Sequence, residues 1–375
     1  MSILGELLVA MQGVEEAARH RRYWYCISEA LTVMVCGMLC QLQTIDDIHE
    51  WAISVPTKAF FLKEFGIERV PCRAQFYNIL GWVDPEKFSE TFNAWVRAVL
   101  VRNVKGTTIA IDGKTVCSTD KLTPDGSILH FASAIVSQYG LVIGTRECGT
   151  KKGEINAFRE LVGMLDVAGA VVVADALHCT AKSAEDVVAA HADYLFCVKD
   201  NVPNLKEDIE LYVQTEPMER FSKSEKNGGR IEKRTAYVER EISWLQDREH
   251  WKNLSCIGAI HTEFEKDNQK SSEWHYYISS ASLTAQELLT HARLEWGVEA
   301  MHWLLDVHFA EDKTRVWNMN VQKTLNIMRK IAINLARDFK AKTNSKQPLA
   351  GILKRNLFDL DNFSSFLLFF RQAGN

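Results

Sequence analysis

The spacing of apolar residues along the chain predicts an all-helical N-terminal part. Residues 27–42 form the most apolar segment and predict a buried helix. Asp84, followed by Pro85 and Glu86, has the composition of a helix start, because Asp accepts hydrogen bonds from free backbone N–H groups and Pro fits the first turn. We therefore predict a helical domain over residues 1–104.

A different periodicity follows, in which short apolar runs alternate with amphipathic helices. The predicted strands cover residues 107–112, 128–136, 141–145, 170–175 and 194–198, and the helices between them cover 154–165 and 180–191. The order β-β-β-α-β-α-β, an antiparallel hairpin followed by right-handed crossovers, predicts an α/β, ribonuclease H-like fold with a mixed five-stranded sheet. In this fold the first and fourth strands are neighbours.

The remaining segments complete the domain organisation. Strand-like runs between about residues 200 and 285 predict a β-rich insertion into a catalytic domain that covers residues 105–340. Residues 341–375 form a tail that is first basic and then apolar. We expect the apolar part of this tail to pack on the body of the protein or on a partner.

Two aspartates end predicted strands that should be neighbours. Asp112 ends the first strand and Asp175 the fourth, and Glu299 lies on the helix that follows the insertion. Carboxylates held close together repel each other, and such a group is typical of a divalent metal site. Hard oxygen ligands favour Mg²⁺, with Mn²⁺ as a substitute, and two such ions suit the displacement of an oxygen at a phosphodiester.

The net charge of −4 excludes a generally basic surface, so that binding to DNA would require local positive charge. Between residues 313 and 355 basic residues are frequent, and Asp338 is the only acidic one. The basic and aromatic cluster at residues 19–25 is a further candidate. A solvated helix face or hairpin tip explains such patterns equally well. The predicted DNA contacts are Lys114, Lys199, Arg230, Arg234, Arg293, Lys313, Arg315, Lys323, Arg329 and Lys330.

Other classes of protein and of site fit less well. The nine cysteines form no C-x-x-C pair and no apolar segment is long enough to span a bilayer, so a reduced, cytosolic protein is expected. No Gly-x-x-x-x-Gly-Lys-Ser/Thr loop occurs, which argues against an ATPase, and Ala110 stands where an Asp-x-Asp phosphatase needs its first Asp. We expect His178 and His302 to be structural, and Trp303 and Trp317 to pack in the core rather than stack on an extruded base.

Six motifs occur in order along nearly the whole chain. They are residues 110–115, 174–176, 193–199, 229–232, 276–280, and the helix with Trp296, Glu299, His302, Trp303 and Asp306, which continues to Glu311 and Asp312. Together they resemble insertion-sequence DDE transposases of the H repeat-associated (ISAs-type) group. Two positions depart from the related signature Tyr-x2-Arg-x3-Glu-x6-Lys. Glu295, four residues before Glu299, stands in place of the Arg, and Asp306, seven residues after Glu299, stands in place of the Lys.

The resemblance implies a metal-dependent transposase in which Asp112, Asp175 and Glu299 are the catalytic and metal-binding residues. Its substrates would be double-stranded DNA, namely the terminal inverted repeats of the element and the target DNA. The protein would act in the bacterial cytoplasm as a homodimer on DNA. The helical domain over residues 1–104 would contact DNA or support assembly. A stand-alone metal-dependent nuclease and a catalytically inactive or domesticated DNA-binding derivative stay open at this point.

Overall fold

The N-terminal region is helical, as predicted. The computed structural model describes residues 3–17, 25–101, 103–119, 128–149, 153–227, 230–266 and 269–372. Its first helices are α1 (Ile3–Ala17), α2 (Ile27–Leu39), α3 (Ile45–Ala52), α4 (Val55–Phe65), α5 (Arg73–Trp82) and α6 (Pro85–Trp95), followed by a π-helical turn at Val96–Leu100. Asp84 caps α6 by accepting hydrogen bonds from the N–H groups of Glu86 and Lys87. Of the predicted basic and aromatic cluster at 19–25, residues 19–24 lie outside the described residues.

The next five strands form the predicted mixed sheet. They are β1 (Thr108–Thr115), β2 (His130–Val136), β3 (Leu141–Glu147), β4 (Val171–Ala174) and β5 (Asp193–Val198), and the helices α7 (Glu154–Met164) and α8 (Ala181–Ala189) connect β3 to β4 and β4 to β5. Their order in the sheet is β3-β2-β1-β4-β5. Strands β1, β2 and β3 are antiparallel, whereas β4 and β5 run parallel to β1. This is the ribonuclease H-like arrangement that the sequence predicts.

The inserted segment does not form a separate sheet but extends the first one. After α9 (Pro203–Thr215), the strands β6 (Glu219–Asn227), β7 (Arg230–Glu239), β8 (Cys256–Lys266) and β9 (Gln269–Ser279) continue the order as β5-β9-β8-β7-β6. The sequence is polar over residues 221–229, and the structure places the edge strand β6 over Glu219–Asn227. The polar composition suits an edge strand, which exposes more of its surface to water than a central strand does.

The C-terminal helices pack against both the N-terminal helices and the sheet. They are α10 (Ala285–His308), α11 (Met319–Lys342), α12 (Leu349–Phe358) and α13 (Leu360–Gln372). Helix α11 packs against α2, α5, α6 and β3, so that it is buried around most of its circumference. Helix α13 buries Phe363, Phe366 and Phe370 and contacts α1 and α4, which confirms the predicted packing of the apolar tail. Across the described ranges, no helix combines the length and apolar character needed to cross a membrane.

Candidate active site

Asp112 and Asp175 lie level with each other on neighbouring parallel strands. Ala110 of β1 is paired in register with Val173 of β4. Asp112 follows Ala110 by two residues, and Asp175 follows Val173 by two residues. Because neighbouring strands are about 4.8 Å apart, the two aspartates lie side by side. The apolar runs before the two aspartates are buried on both faces, so the strands deliver one carboxylate each to the same level of the sheet. Strand β1 does not end at Asp112, the predicted end, but continues to Thr115, paired with β2.

Helix α10 runs along β1 in the same direction and brings Glu299 to the two aspartates. Three polar contacts fix its position. Thr108 Oγ1 lies 2.8 Å from His291 Nδ1, Asp112 Oδ2 lies 3.8 Å from His302 Nδ1, and Lys114 Nζ lies 2.9 Å from Asp306 Oδ1. From Asp112 to Lys114 the strand advances by about 6 Å, and from His302 to Asp306 the helix advances by about the same distance. The last two contacts are therefore in register along β1 and α10.

The carboxylates line one cavity of about 270 Å³. The sequence-predicted residues Asp112, Asp175 and Glu299 all contribute to its wall, together with Lys199 and Trp296. A fourth carboxylate, Glu295, also faces the cavity. It lies one helical turn before Glu299, where the related signature has Arg, and the sequence pattern alone predicts no role for it.

The ionisation of these groups reflects burial and mutual repulsion. Burial raises the pKa of Asp112 to about 6 and that of Glu295 to about 7, and negative charges from neighbouring carboxylates add to both increases. Burial also acts on Asp175, but the hydrogen bond that Lys199 Nζ donates at 2.8 Å lowers the net pKa of Asp175 below its usual value. Burial lowers the pKa of His302 to about 3, so a neutral imidazole faces Asp112 and leaves its charge uncompensated.

Replacing Glu295 by Gln is expected to stabilise the metal-free protein at pH 7.5 and to have little effect at pH 4. The pKa of Glu295 is about 7 in the folded state and near 4.5 when unperturbed. As the pH rises between these values, the unfolded chain releases its proton first, so the ionisable side chain destabilises the folded state. With about 1.4 kcal/mol per pKa unit, the gain is roughly 1–3 kcal/mol above pH 7.

Urea unfolding in the presence of a chelator, at both pH values, measures this difference. Glu68→Gln, on an exposed loop, is the matched control and should change the free energy of unfolding by less than about 0.5 kcal/mol. Equal effects of Glu295→Gln at pH 4 and pH 7.5 would show that Glu295 ionises normally.

Lys114 does not extend into the cavity. Its ammonium lies 2.9 Å from Asp306, 3.1 Å from Asp312 and 3.7 Å from the buried Glu311, and the side chain is only 10% exposed. These contacts join β1 to the C-terminal end of α10 and to the turn that follows it. The prediction that Lys114 contacts DNA is therefore wrong for this arrangement, and its contacts instead fix α10 against β1.

Three more of the predicted DNA contacts are buried. Arg329 and Lys330 lie on α11 with 2% and 1% exposure, and Arg234 lies on β7, where its guanidinium contacts Glu232. Arg329 and Lys330 cannot reach a phosphate from inside the protein, so these two predictions are wrong. Their positive charges serve inside the protein: Arg329 faces Glu311, and Lys330 donates a hydrogen bond to Thr145. Arg234 lines the cavity that contains Asp112 and Asp175, so its contact with DNA stays a prediction.

The other predicted contacts are accessible to different degrees. Lys313 and Arg315 are exposed after α10, and Lys199 is about half exposed at the cavity wall. The remaining three are partly exposed and paired with acidic residues of the chain: Arg230 with Glu232, Arg293 with Glu225, and Lys323 with Glu147.

The two tryptophans expected in the core are on the surface. Trp303 is 57% exposed and Trp317 is 72% exposed. Trp303 falls on the outer side of α10, where its ring meets only the edge of His308 among the described aromatic contacts. His178, in contrast, is fully buried, as expected for a structural histidine.

Comparison with known proteins identifies the family. The model of the transposase DDE domain matches residues 107–335, and a model of the region associated with that domain matches residues 9–96. The H repeat-associated protein YhhI of Escherichia coli K12, which is named as a transposase, is 31% identical over 93% of this chain and 94% of its own length. YbfL of the same organism gives the same values.

Two further matches are more distant. YncI of Escherichia coli O157:H7, also named as a transposase, is 29% identical over 84% of this chain and 83% of its own length. Among solved structures, the piggyBac transposase in a synaptic complex with hairpin DNA matches with a TM-score of 0.44 and 12% identity, over 100% of this chain and 80% of that one. From the domain match and the full-length relatives, the chain belongs to the DDE transposase family, alongside the H repeat-associated proteins.

Proposed function

We propose that the chain is the transposase of an insertion sequence, which cleaves phosphodiester bonds at the ends of the element and transfers the strands to target DNA. The observation that supports this most directly is the cavity in which Glu299 of α10 faces Asp112 and Asp175 on neighbouring parallel strands. Membership of the DDE transposase family supports the same class of reaction.

The chemistry of the cavity fits Mg²⁺ or Mn²⁺. Carboxylate oxygens are the ligands that these ions prefer, and the raised pKa values of Asp112 and Glu295 indicate negative charge that a cation would neutralise. Among the residues that the structure describes, no three acidic, His or Cys side chains are close enough to share an ion in their present positions. We expect the carboxylates to move closer together when an ion binds.

Asp112, Asp175 and Glu299 would hold two such ions. When bound, the ions supply an activated oxygen nucleophile and stabilise the leaving oxygen of the phosphodiester. The chain itself keeps the three carboxylates on rigid elements and provides positive charge beside them. Lys199 presents an ammonium group at the cavity wall, next to Asp175, where it can bind a phosphate oxygen. Lys313 and Arg315 add exposed positive charge just beyond the C-terminal end of α10.

Recognition of the element ends separates a transposase from a stand-alone nuclease. We expect the protein to bind DNA that carries the flanking inverted repeats about 10³-fold more tightly than shuffled DNA, and to act there as a homodimer. Footprinting in the presence of a chelator measures this binding without cleavage. Metal-dependent cleavage without protection of the repeats would favour the nuclease, and protection without cleavage in Mg²⁺ or Mn²⁺ would favour an inactive or domesticated derivative.

A further inference from the structure

A buried chain of hydrogen bonds lies behind the two aspartates. It begins at Thr115 Oγ1 on β1, which is 2.8 Å from His130 Nδ1 on β2. His130 Nε2 is 2.7 Å from one carboxylate oxygen of Glu154 on α7, and His178 Nε2 is 3.2 Å from the other. The chain thus joins a residue three positions after Asp112 to a residue three positions after Asp175.

The protonation of this chain follows from its geometry. Burial alone would raise the pKa of Glu154, but the hydrogen bonds from the two histidines lower it to about 2. An ionised Glu154 accepts hydrogen bonds only, so both Nε2 atoms donate to it. The ring of His178 stacks on Phe158 of α7 with 4.6 Å between the ring centres, which holds its orientation.

The Glu154 carboxylate and the His130 ring pack directly against the backbone beside Asp112. A Cβ atom at Gly113 would collide with the Glu154 carboxylate and with His130 Nε2. Only glycine permits this approach, so the backbone next to Asp112 rests on the histidine–glutamate group. The other end of the chain, His178, belongs to the short turn at Ala176–His178 that follows Asp175 directly.

We propose that the His130–Glu154–His178 bridge is a positioning device that sets the distance between the Asp112 and Asp175 carboxylates. The proposal rests on the function proposed above, because the spacing of these two groups matters only if they bind metal together. Partners that orient the ligands of a metal typically change metal affinity or activity by 10–100-fold when they are removed. None of the bridge residues lines the cavity, so they act through the backbones of the two aspartates.

Glu154→Gln tests the bridge, because the amide keeps the shape but can accept a hydrogen bond through only one atom. Calorimetric titration with Mn²⁺ in the absence of DNA should show a dissociation constant 10–100-fold above that of the wild type, and cleavage should require correspondingly more Mn²⁺. Glu160→Gln is the matched control, since Glu160 lies on the same helix but pairs with Arg146 at the surface. It should leave both quantities unchanged.

A second variant separates positioning from folding. His178→Leu removes the N–H donor to Glu154 and should weaken Mn²⁺ binding, whereas His178→Gln retains such a donor and should recover part of the lost affinity. This pair of variants also replaces Glu154→Gln as the test if the Glu154→Gln protein does not fold. Wild-type affinity in folded Glu154→Gln or His178→Leu protein, even with lowered thermal stability, would overturn the bridge proposal alone. Failure of the wild type both to bind Mn²⁺ and to cleave would refute the proposed function, and the bridge proposal with it.

Discussion

Asp112→Asn is expected to reduce the rate of DNA cleavage about 10³-fold while the protein stays folded. Asn has nearly the same shape as Asp but carries no charge, so it cannot neutralise a divalent cation between β1 and β4. The same substitution should not lower stability in a chelator at pH 7.5. Because burial raises the pKa of Asp112 to about 6, the ionised side chain destabilises the metal-free fold above that pH, and Asn removes this cost.

Single-turnover cleavage in Mg²⁺ or Mn²⁺ and thermal unfolding in a chelator give the two measurements. Asp166→Asn is the matched control, because Asp166 is exposed on the loop that precedes β4, at the opposite end of that strand from Asp175. It should retain wild-type cleavage. Asp112→Asn protein that cleaves at more than a tenth of the wild-type rate would contradict the assignment of Asp112 to the site.

Arg329→Met is expected to lower the free energy of unfolding by about 3–5 kcal/mol, since it removes one partner from a buried network of charges. Arg329 Nη1 lies 3.8 Å from Glu311, and its guanidinium donates a hydrogen bond to Thr314. Glu311 has no exposed surface and also accepts a hydrogen bond from Asn326 at 2.8 Å. Met would leave the Glu311 carboxylate with less compensating positive charge, and in the protein interior water cannot take the place of the guanidinium.

Urea unfolding at pH 7.5 measures the change, and Arg355→Met provides the control. Arg355 is exposed on α12, so its replacement should change the free energy of unfolding by less than about 0.5 kcal/mol. A loss of less than 1 kcal/mol in Arg329→Met would mean that the network around Glu311 is solvated in the folded protein.

Local sequence patterns predicted the parts of the fold and site that depend on neighbouring residues in the chain. Short apolar runs ending in Asp predicted β1 and β4 and the shared edge of the sheet, and the hairpin β2–β3 followed from its turn. The same reasoning applied to α10, where helical spacing puts Glu295, Glu299 and Asp306 on related faces. It put Glu299 on a helix that should face the two aspartates but gave Glu295 no role, because the environment of a side chain depends on the opposing strand.

Burial of charge depends on distant segments and could not be predicted in this way. Arg329 and Lys330 have the appearance of a solvated face, but α11 is surrounded by helices from the N-terminal region and by β3. The bridge combines His130, Glu154 and His178 from three separate elements, and no fixed spacing connects them. Trp303 and Trp317 were expected in the core because large aromatic residues are usually buried, whereas here they lie on the surface.

The proposed two-metal reaction is tested most directly by comparing wild-type and Asp175→Asn protein on DNA that carries the flanking inverted repeats. The wild type should cleave at the element ends and join the strands to target DNA only when Mg²⁺ or Mn²⁺ is present. Asp175→Asn should protect the same repeats in a footprint but produce no cleavage above about a thousandth of the wild-type rate. Cleavage by Asp175→Asn at the wild-type rate, or equal wild-type cleavage in a chelator, would contradict a metal-dependent site built on Asp112, Asp175 and Glu299.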